Sequence, residues 1–387
     1  MARNIVITRE DLLDLRSRPA DGGVLSVYLR KGDRAKAPHH TGSTALNAGL
    51  RELQRAYPDD RQLAALADEV RRLYRKMPRE DRQRHLAIIL SAVPEWSWWR
   101  SLQWPVDDRF VWMDTPYLRP LMGLLDHAPR VGVIAVARSV VRVLTWNQGL
   151  IEEEVVRRFE LADRHWRRYA GPAPAHPGTR QQTATYVERY VDRVAVHEGR
   201  FLQEVTDEIA GHGERAGWER VVVLGPSDLT GTLVAALPEP WRQRVVPAPP
   251  INVARAGPAP LADAATAAVE TWAENRDLQE IEELLGLVAS GGRASASPQE
   301  CLDLLEQGRV SHLYLDTELR LQGYRRPDGT LVIASPAEPA HDWVPERHLV
   351  ERAISLALDQ GIRVTPVRGE AAERLREVGG IGARLRY

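Results

Sequence analysis

The stretch "WERVVVLGPSDLTGTLVAAL", Trp218 to Leu237, narrows the fold more than any other part of the chain. Val221–Leu224 is a continuous apolar, β-branched run, the pattern of a strand buried on both faces in a parallel sheet. A glycine turn follows, then a helical stretch that Ser227 or Asp228 is placed to cap. Strand, helix and strand alternate around this run, which argues for an α/β domain with a mostly parallel sheet.

The chain has 387 residues, room for two or three domains at ~150 residues each. In the first third, "REDLLDLRSR" reads as a short helix and Val24–Leu29 as a strand after a glycine turn. A basic loop "RKGDRAKAPHH" leads to two helical stretches, around 43–56 and 61–77. The second places Leu63, Leu66, Val70 and Leu73 at helical spacing. "HLAIILSAV" reads as a buried strand. "RVGVIAVARSVVRVLTWNQGLIEEE" gives two β-branched runs separated by a short polar turn, a hairpin signal. "PAPPINVARAGPAP" is a connection, followed by a long helix from about Leu261 to Val288. A second α/β unit closes the sequence: helix "PQECLDLLEQG", strand "RVSHLYLD", the Pro-Asp-Gly hairpin "YRRPDGTLVIA", helix "ERHLVERAISLALDQG" and strand "IRVTPV".

Composition removes several classes. The formal net charge is −1, so no global basic field drives nucleic-acid binding and any such contact must be local. The single cysteine, Cys301, rules out an intramolecular disulfide and a cysteine-based zinc site. No apolar run approaches the ~20 residues of a membrane span, and the start lacks a signal-peptide pattern. The expected location is cytoplasmic. No cofactor motif is present and the histidines form no metal-ligand pattern. "VGGIGARLRY" follows a helix instead of opening one, so it is read as a structural turn that brings Leu385 and Tyr387 back to a sheet, not a phosphate loop.

Two local features could touch RNA. Five of the eleven tryptophans, at 96, 98, 99, 104 and 112, crowd into "WSWWRSLQWPVDDRFVWMD". Such a cluster could stack on bases. A half-buried sheet with Trp96 and Trp98 on one face explains it as well, since aromatics favour strands. The other feature is the loop "RHWRRYAGPAPAHPGTRQQT". Between Arg164 and Arg180 it holds four arginines, two histidines and no carboxylate. A segment that enters RNA must neutralise phosphate and avoid carboxylates. His165, Trp166 and Tyr169 could stack on bases. A solvated loop, its arginines paired with the acids of Ile151–Glu154, is the plain alternative. An amphipathic helix follows, with Val187, Val191, Val194, Phe201 or Leu202, Val205 and Ile209 as its buried stripe.

In combination, "LSVYLR" near the start, "QQTATYVERYVDRVAVHEGRFLQEV" in the middle and "GGIGARLRY" at the end resemble the archaeal-eukaryotic peptide chain release factor 1 superfamily. That superfamily includes Pelota, and the likeness is to its bacterial branch. "ELLGLVASGGRASASPQECLDLLEQGRVSHLYLD" is similar to that branch's third domain. The resemblance implies an α/β chain of three domains: an N-terminal α+β domain over 1–127, a ribonuclease-H-like middle domain over 128–260 with the basic loop at 164–182, and an L7Ae-like α/β/α domain over 261–387. It implies a ribosome-associated, A-site-binding tRNA mimic acting in rescue, quality control or hibernation. Ribosomal RNA and a translational GTPase are the implied partners; DNA and membrane are not. Arg164, Arg167, Arg168, Arg180, Gln181 and Gln182 would contact RNA.

Release factors of this type carry Gly-Gly-Gln at the loop tip. Here the matching residues are Arg180, Gln181 and Gln182, followed by Thr183, so only Gln182 keeps its place. Both glycines are replaced by residues that resist a positive φ. A codon-independent peptidyl-tRNA hydrolase using Gln182 is the alternative activity. The Asn-Ile-Lys-Ser stop-codon motif is absent, which argues against decoding. A metal-dependent nuclease ranks last, because "VGVIAV" and "VVVLG" carry no carboxylate.

Overall fold

The computed structural model describes residues 6–30, 42–79, 84–137, 140–158, 204–253, 255–333 and 342–387. The chain forms two compact units: 1–128 together with 270–387, and 129–269.

In the first stretch of the first unit, a four-stranded antiparallel sheet has the order β3-β2-β1-β4, with β1 at Val24–Leu29, β2 at His85–Ala92, β3 at Glu95–Leu102 and β4 at Arg109–Met113. Every residue of β1 is buried. One face gives Leu25, Val27, Leu86, Ile88 and Leu90 to a core shared with α2 (Gly42–Ala56) and α3 (Arg61–Lys76). α3 contributes Leu63, Leu66, Ala67, Val70 and Tyr74, and Asp60 caps it by accepting from the Leu63 amide at 2.9 Å. On the other face, Tyr28 donates its hydroxyl to the Tyr117 carbonyl at 2.5 Å. α1 (Arg9–Ser17) and α4 (Arg119–His127) complete this stretch. α1 begins with a capping box between Thr8 and Asp11.

The tryptophan-rich segment is sheet, not a stacking platform. Trp96 and Trp98 share one face of β3; Arg18 stacks on the first ring and Arg100 on the second. Trp98, Trp104 and Trp112 are buried, and Trp112 Nε1 donates to Asp60 at 2.8 Å.

The second unit holds a five-stranded sheet of order β7-β6-β5-β8-β9: β5 Val131–Ala137, β6 Val140–Asn147, β7 Leu150–Arg158, β8 Arg220–Leu224 and β9 Val245–Val246. β5, β8 and β9 run parallel, so the apolar run Val221–Leu224 is central as its composition requires. Helix α5 (204–216) packs Val205 and Ile209 against this sheet. Close approach is possible because Gly132 lies under the Trp218 ring and Gly213 between Trp218 and Trp241. Helix α6 (Ser227–Ala236) starts differently from the sequence reading. Its N-cap is Pro226, and neither Ser227 nor Asp228 makes a capping hydrogen bond. The chain turns sharply at Gly225 (φ +155°), so Ser227 is already inside the first turn. A short helix, α7 (Glu239–Arg242), precedes β9.

Helix α8 (Pro258–Ala289) leads into the rest of the first unit. There β10 (Ala294–Ser295), β16 (Ile381–Leu385), β11 (Val310–Asp316) and β15 (Arg363–Val367) form a sheet in that order. Helices α9 (Pro298–Glu306), α10 (Leu349–Asp359) and α11 (Gly369–Arg376) belong to the same stretch, as does a small sheet β13-β12-β14 (Leu331–Ile333, Gly323–Arg325, Val344–Glu346). β12 and β13 are the hairpin marked by Pro327-Asp328-Gly329. Cys301 is fully buried on α9, and burial pushes its thiol up to about 12, so it is unreactive at neutral pH.

The C-terminal glycines act as a structural turn. Gly379 (φ +113°) and Gly380 (φ +79°) reverse the chain after α11 so that β16 enters the middle of its sheet. Leu385 pairs with Val310 there. Tyr387 does not return: it lies beyond β16 and is 66 % exposed.

Candidate functional site: the base of the 159–203 segment

Arg164, Arg167, Arg168, Arg180, Gln181 and Gln182 lie outside the described residues, as do Val187, Val191 and Val194. What the structure does describe is the pair of elements that carry the chain into and out of this segment. β7 leads in and α5 leads out. β7 exists because residues 147–150 make a tight hairpin from β6, with Gln148 at φ +50° and Gly149 at φ +87°. Positive φ at both central positions marks the hairpin turn whose twist suits the flanking strands. The sequence pattern marks no strand here, and the acids of Ile151–Glu154 read as partners for the loop arginines. The missed signal is the Asn-x-Gly turn between two β-branched runs.

The ends of the segment are tied together. Arg157 Nε donates to Glu208 Oε2 at 2.7 Å, and its Nη2 donates to the other carboxylate oxygen. Glu208 raises the Arg157 guanidinium through that hydrogen bond and its charge. α5 is in turn held to the sheet. His212 lies 5.3 Å from the Trp218 ring, which donates its Nε1 to Thr145 on β6 at 2.9 Å. A planar, two-point pair fixes orientation as well as distance. The described residues on either side of 159–203 are therefore joined by this pair. The central strands β5 and β8 of the sheet supply no carboxylate, so they lack the ligands a metal-dependent nuclease needs.

The first unit contains a second cluster of ionisable groups. At the end of α4, Asp126 accepts from Arg276 Nη2 at 2.6 Å, Arg363 Nε at 2.6 Å and Thr365 Oγ1 at 2.9 Å. The same Arg276 nitrogen reaches Asp277 at 2.7 Å. Burial by itself would raise the Asp126 carboxyl. The Arg363 hydrogen bond and the Arg276 charge outweigh it and bring the group down to about 2. His127 Nε2 is 2.8 Å from Asp277 Oδ2 but off the line that a hydrogen bond needs, and it is unsatisfied among the described residues. Nearby His312 is pushed down to about 3 by burial and Arg363, and its Nε2 is 2.8 Å from Thr365 Oγ1.

Asp126, His127 and Asp277 hold their ligand atoms within 4.8 Å of one another, close enough to hold a metal ion. Arg276 already bridges the two carboxylates where a cation would sit. The arrangement works as a charge-compensated tie between residues around 126 and the stretch 270–387. Other ion pairs make the same connection within this unit: Arg119–Glu351 at 2.6 Å, Arg16–Asp359, Arg109–Glu318 and Asp114–Arg352. Among the described residues no helix is long and apolar enough to cross a membrane.

Residues 116–271 match the sequence model of bacterial archaeo-eukaryotic release factor family 10. The uncharacterised protein YocB of Bacillus subtilis (strain 168) is 23% identical over 166 residues, a match that covers 43% of this chain and 61% of that protein. The match thus spans less than two thirds of that relative's length. The archaeal translation termination factor aRF1 aligns over 98% of this chain and 99% of its own, at 18% identity and a TM-score of 0.27. Archaeoglobus fulgidus Pelota aligns over 99% and 93%, at 13% identity and a TM-score of 0.38. Likeness at that level fixes no architectural detail. The β5–β9 sheet, its helices and the base of the basic segment all lie within or beside the matched residues. Over residues 116–271, the chain is similar to bacterial archaeo-eukaryotic release factor family 10.

Proposed function

We propose that this protein is a ribosome-associated factor that enters the A site as a tRNA mimic and acts in rescue, quality control or hibernation without reading a stop codon. The observation that carries the reading is the family match over 116–271, which spans the acid-free basic stretch 164–180. In this reading Arg164, Arg167, Arg168 and Arg180 contact ribosomal RNA, Gln181 and Gln182 sit at the tip, and the frame closed by Arg157 and Glu208 aims the segment. The factor works in the cytoplasm, and a translational GTPase is its delivery partner. Three domains are proposed: an α+β domain at 1–127, a ribonuclease-H-like domain at 128–260 and an L7Ae-like α/β/α domain at 261–387. In support, each sheet is confined to one of these ranges.

The test is co-sedimentation with ribosomes at rising salt. The wild type is expected to pellet with ribosomes, with affinity falling steeply as salt rises. The triple change Arg164→Glu, Arg167→Glu and Arg168→Glu should abolish pelleting while the melting temperature holds. A folded triple mutant that still pellets normally rejects the segment as the contact.

A further inference from the structure

α3 carries a concentration of positive charge that its fold does not require. The run Arg71–Arg79 reads "RRLYRKMPR": five of nine residues are cations and none is acidic. At 100° per residue, Arg71, Arg72, Arg75 and Lys76 fall within one arc of the helix. That arc lies opposite the stripe Leu63, Leu66, Ala67, Val70 and Tyr74, which faces the core. Arg72, Arg75 and Lys76 are exposed to solvent, while Arg71, at the edge of the arc, is half-buried and donates to Asn47 and Gln54 on α2. Arg79 follows just past the helix end and is exposed.

Two of the five have local partners. Arg71 pairs with Asp68 at 2.7 Å and Arg72 with Glu69 at 2.5 Å, each one turn back. Arg75, Lys76 and Arg79 have no acidic partner among the described residues, and all three are exposed. Glu80 and Asp81 come next in sequence, but Arg82 and Arg84 follow them, so 71–84 holds seven cations against two acids. A helix C-terminus favours cations, yet one or two suffice for that. Placing Arg71 and Arg75 four residues apart on α3 costs like-charge repulsion. In a chain of net charge −1, such a face is matched by a polyanion rather than by the rest of the protein.

We infer that the solvent face of α3 around Arg75, Lys76 and Arg79 is a docking surface for the phosphate backbone of structured RNA. The choice of RNA rests on the function proposed above; the charge geometry alone asks for closely spaced phosphates. Arginine suits them because its planar guanidinium meets two phosphate oxygens at once. An anionic membrane fits less well. A helix that lies on lipid needs an apolar face to insert, and the apolar face of α3 is buried in its own domain.

The experiment compares the full-length wild type, the triple variant Arg75→Glu, Lys76→Glu, Arg79→Glu, and its neutral counterpart with Gln at the same positions. Arg71, Arg72 and their acidic partners stay intact, so the helix keeps its ion pairs. Ribosome co-sedimentation and filter binding to deproteinised ribosomal RNA are both measured across a salt series. The Glu variant is expected to lose about tenfold or more in RNA affinity, and its salt slope to fall by about one for each cation removed. The Gln variant should lie between, with both variants folded by circular dichroism. Affinity and slope unchanged in folded variants overturn the inference. So does unchanged RNA binding alongside lost binding to phosphatidylserine vesicles, which would make the face a lipid contact. A wild type that ignores ribosomes but binds bare RNA through α3 overturns the proposed function and leaves this surface standing. A wild type that pellets with ribosomes while the α3 variants pellet equally well does the reverse.

Discussion

Arg157, near the end of β7, and Glu208, on α5, form a two-point ion pair that joins the chain at either side of residues 159–203. The pair is exposed, with side-chain exposures of 51% and 36%, so it adds little to global stability. Its value lies in geometry. It holds β7 to α5 at either side of residues 159–203.

That separation of roles can be measured. Glu208→Arg should reduce ribosome co-sedimentation while leaving the melting temperature nearly unchanged. The double change Arg157→Glu with Glu208→Arg restores the pair in the opposite sense and should recover binding. A double variant no better than the single one would show that the pair does not position the segment.

The tie at Asp126 predicts an acid dependence. Its carboxyl lies at about 2 in the folded protein, below the ordinary value near 3.8. A group depressed in this way stabilises the fold above its unfolded pKa and loses that contribution as pH falls through the folded value. The contribution is about 2 kcal/mol, lost between roughly pH 5 and pH 2. Asp126→Asn should remove it at neutral pH, at a cost of about 2–4 kcal/mol, because Arg276 keeps Asp277 while Arg363 loses its main partner. Urea titrations at pH 7 and pH 3 test this: the gap between wild type and Asp126→Asn should narrow in acid. A gap that stays constant with pH refutes the tie.

The glycine turn before β16 makes a third expectation. A Cβ on Gly379 would sit 2.5 Å from the Pro298 ring, and one on Gly380 would sit 2.8 Å from Leu319. Both residues also hold positive φ. Gly379→Ala should therefore cost about 1–3 kcal/mol, strain and clash together. Thermal unfolding reads the loss, and affinity for ATP or GTP should be absent before and after. Nucleotide binding that disappears with this substitution would show the turn to be a phosphate loop after all.

Period and turn chemistry made most elements readable. Val221–Leu224, the Pro327-Asp328-Gly329 hairpin and the α3 stripe announce themselves as short local patterns. β7 was missed because its acidic run looks like loop, and the turn that makes it a strand depends on Gln148 accepting a positive φ. The α6 cap was misplaced by one or two residues because Gly225 bends the chain before Ser227 can reach back. The ties at Asp126 were out of reach for a different reason. Asp126 and Arg363 are 237 residues apart, and no local pattern links a helix end to a strand that distant. Arg157 and Glu208 are 51 residues apart and equally silent. The cationic arc of α3 has helical period and is legible in the sequence, opposite the apolar stripe.

The last expectation separates a binding factor from a hydrolase. Water attack on a peptidyl-tRNA ester needs a tip that presents a backbone amide and a glutamine together at the developing oxyanion. Two glycines give that freedom; in the proposed reading Arg180 and Gln181 stand in their place. Holding either at positive φ costs about 1 kcal/mol or more. Gln182 is a neutral amide, able to orient water but poor as a base, and Arg180 suits phosphate better than an ester. Wild-type protein added to ribosomes with P-site peptidyl-tRNA should release no peptide. The informative comparison adds Gln182→Ala and the double change Arg180→Gly with Gln181→Gly. Release only from the double variant would mean that the segment reaches the ester but lacks the backbone to act on it. Strong wild-type release that vanishes in Gln182→Ala would make the protein a codon-independent hydrolase and overturn the expectation.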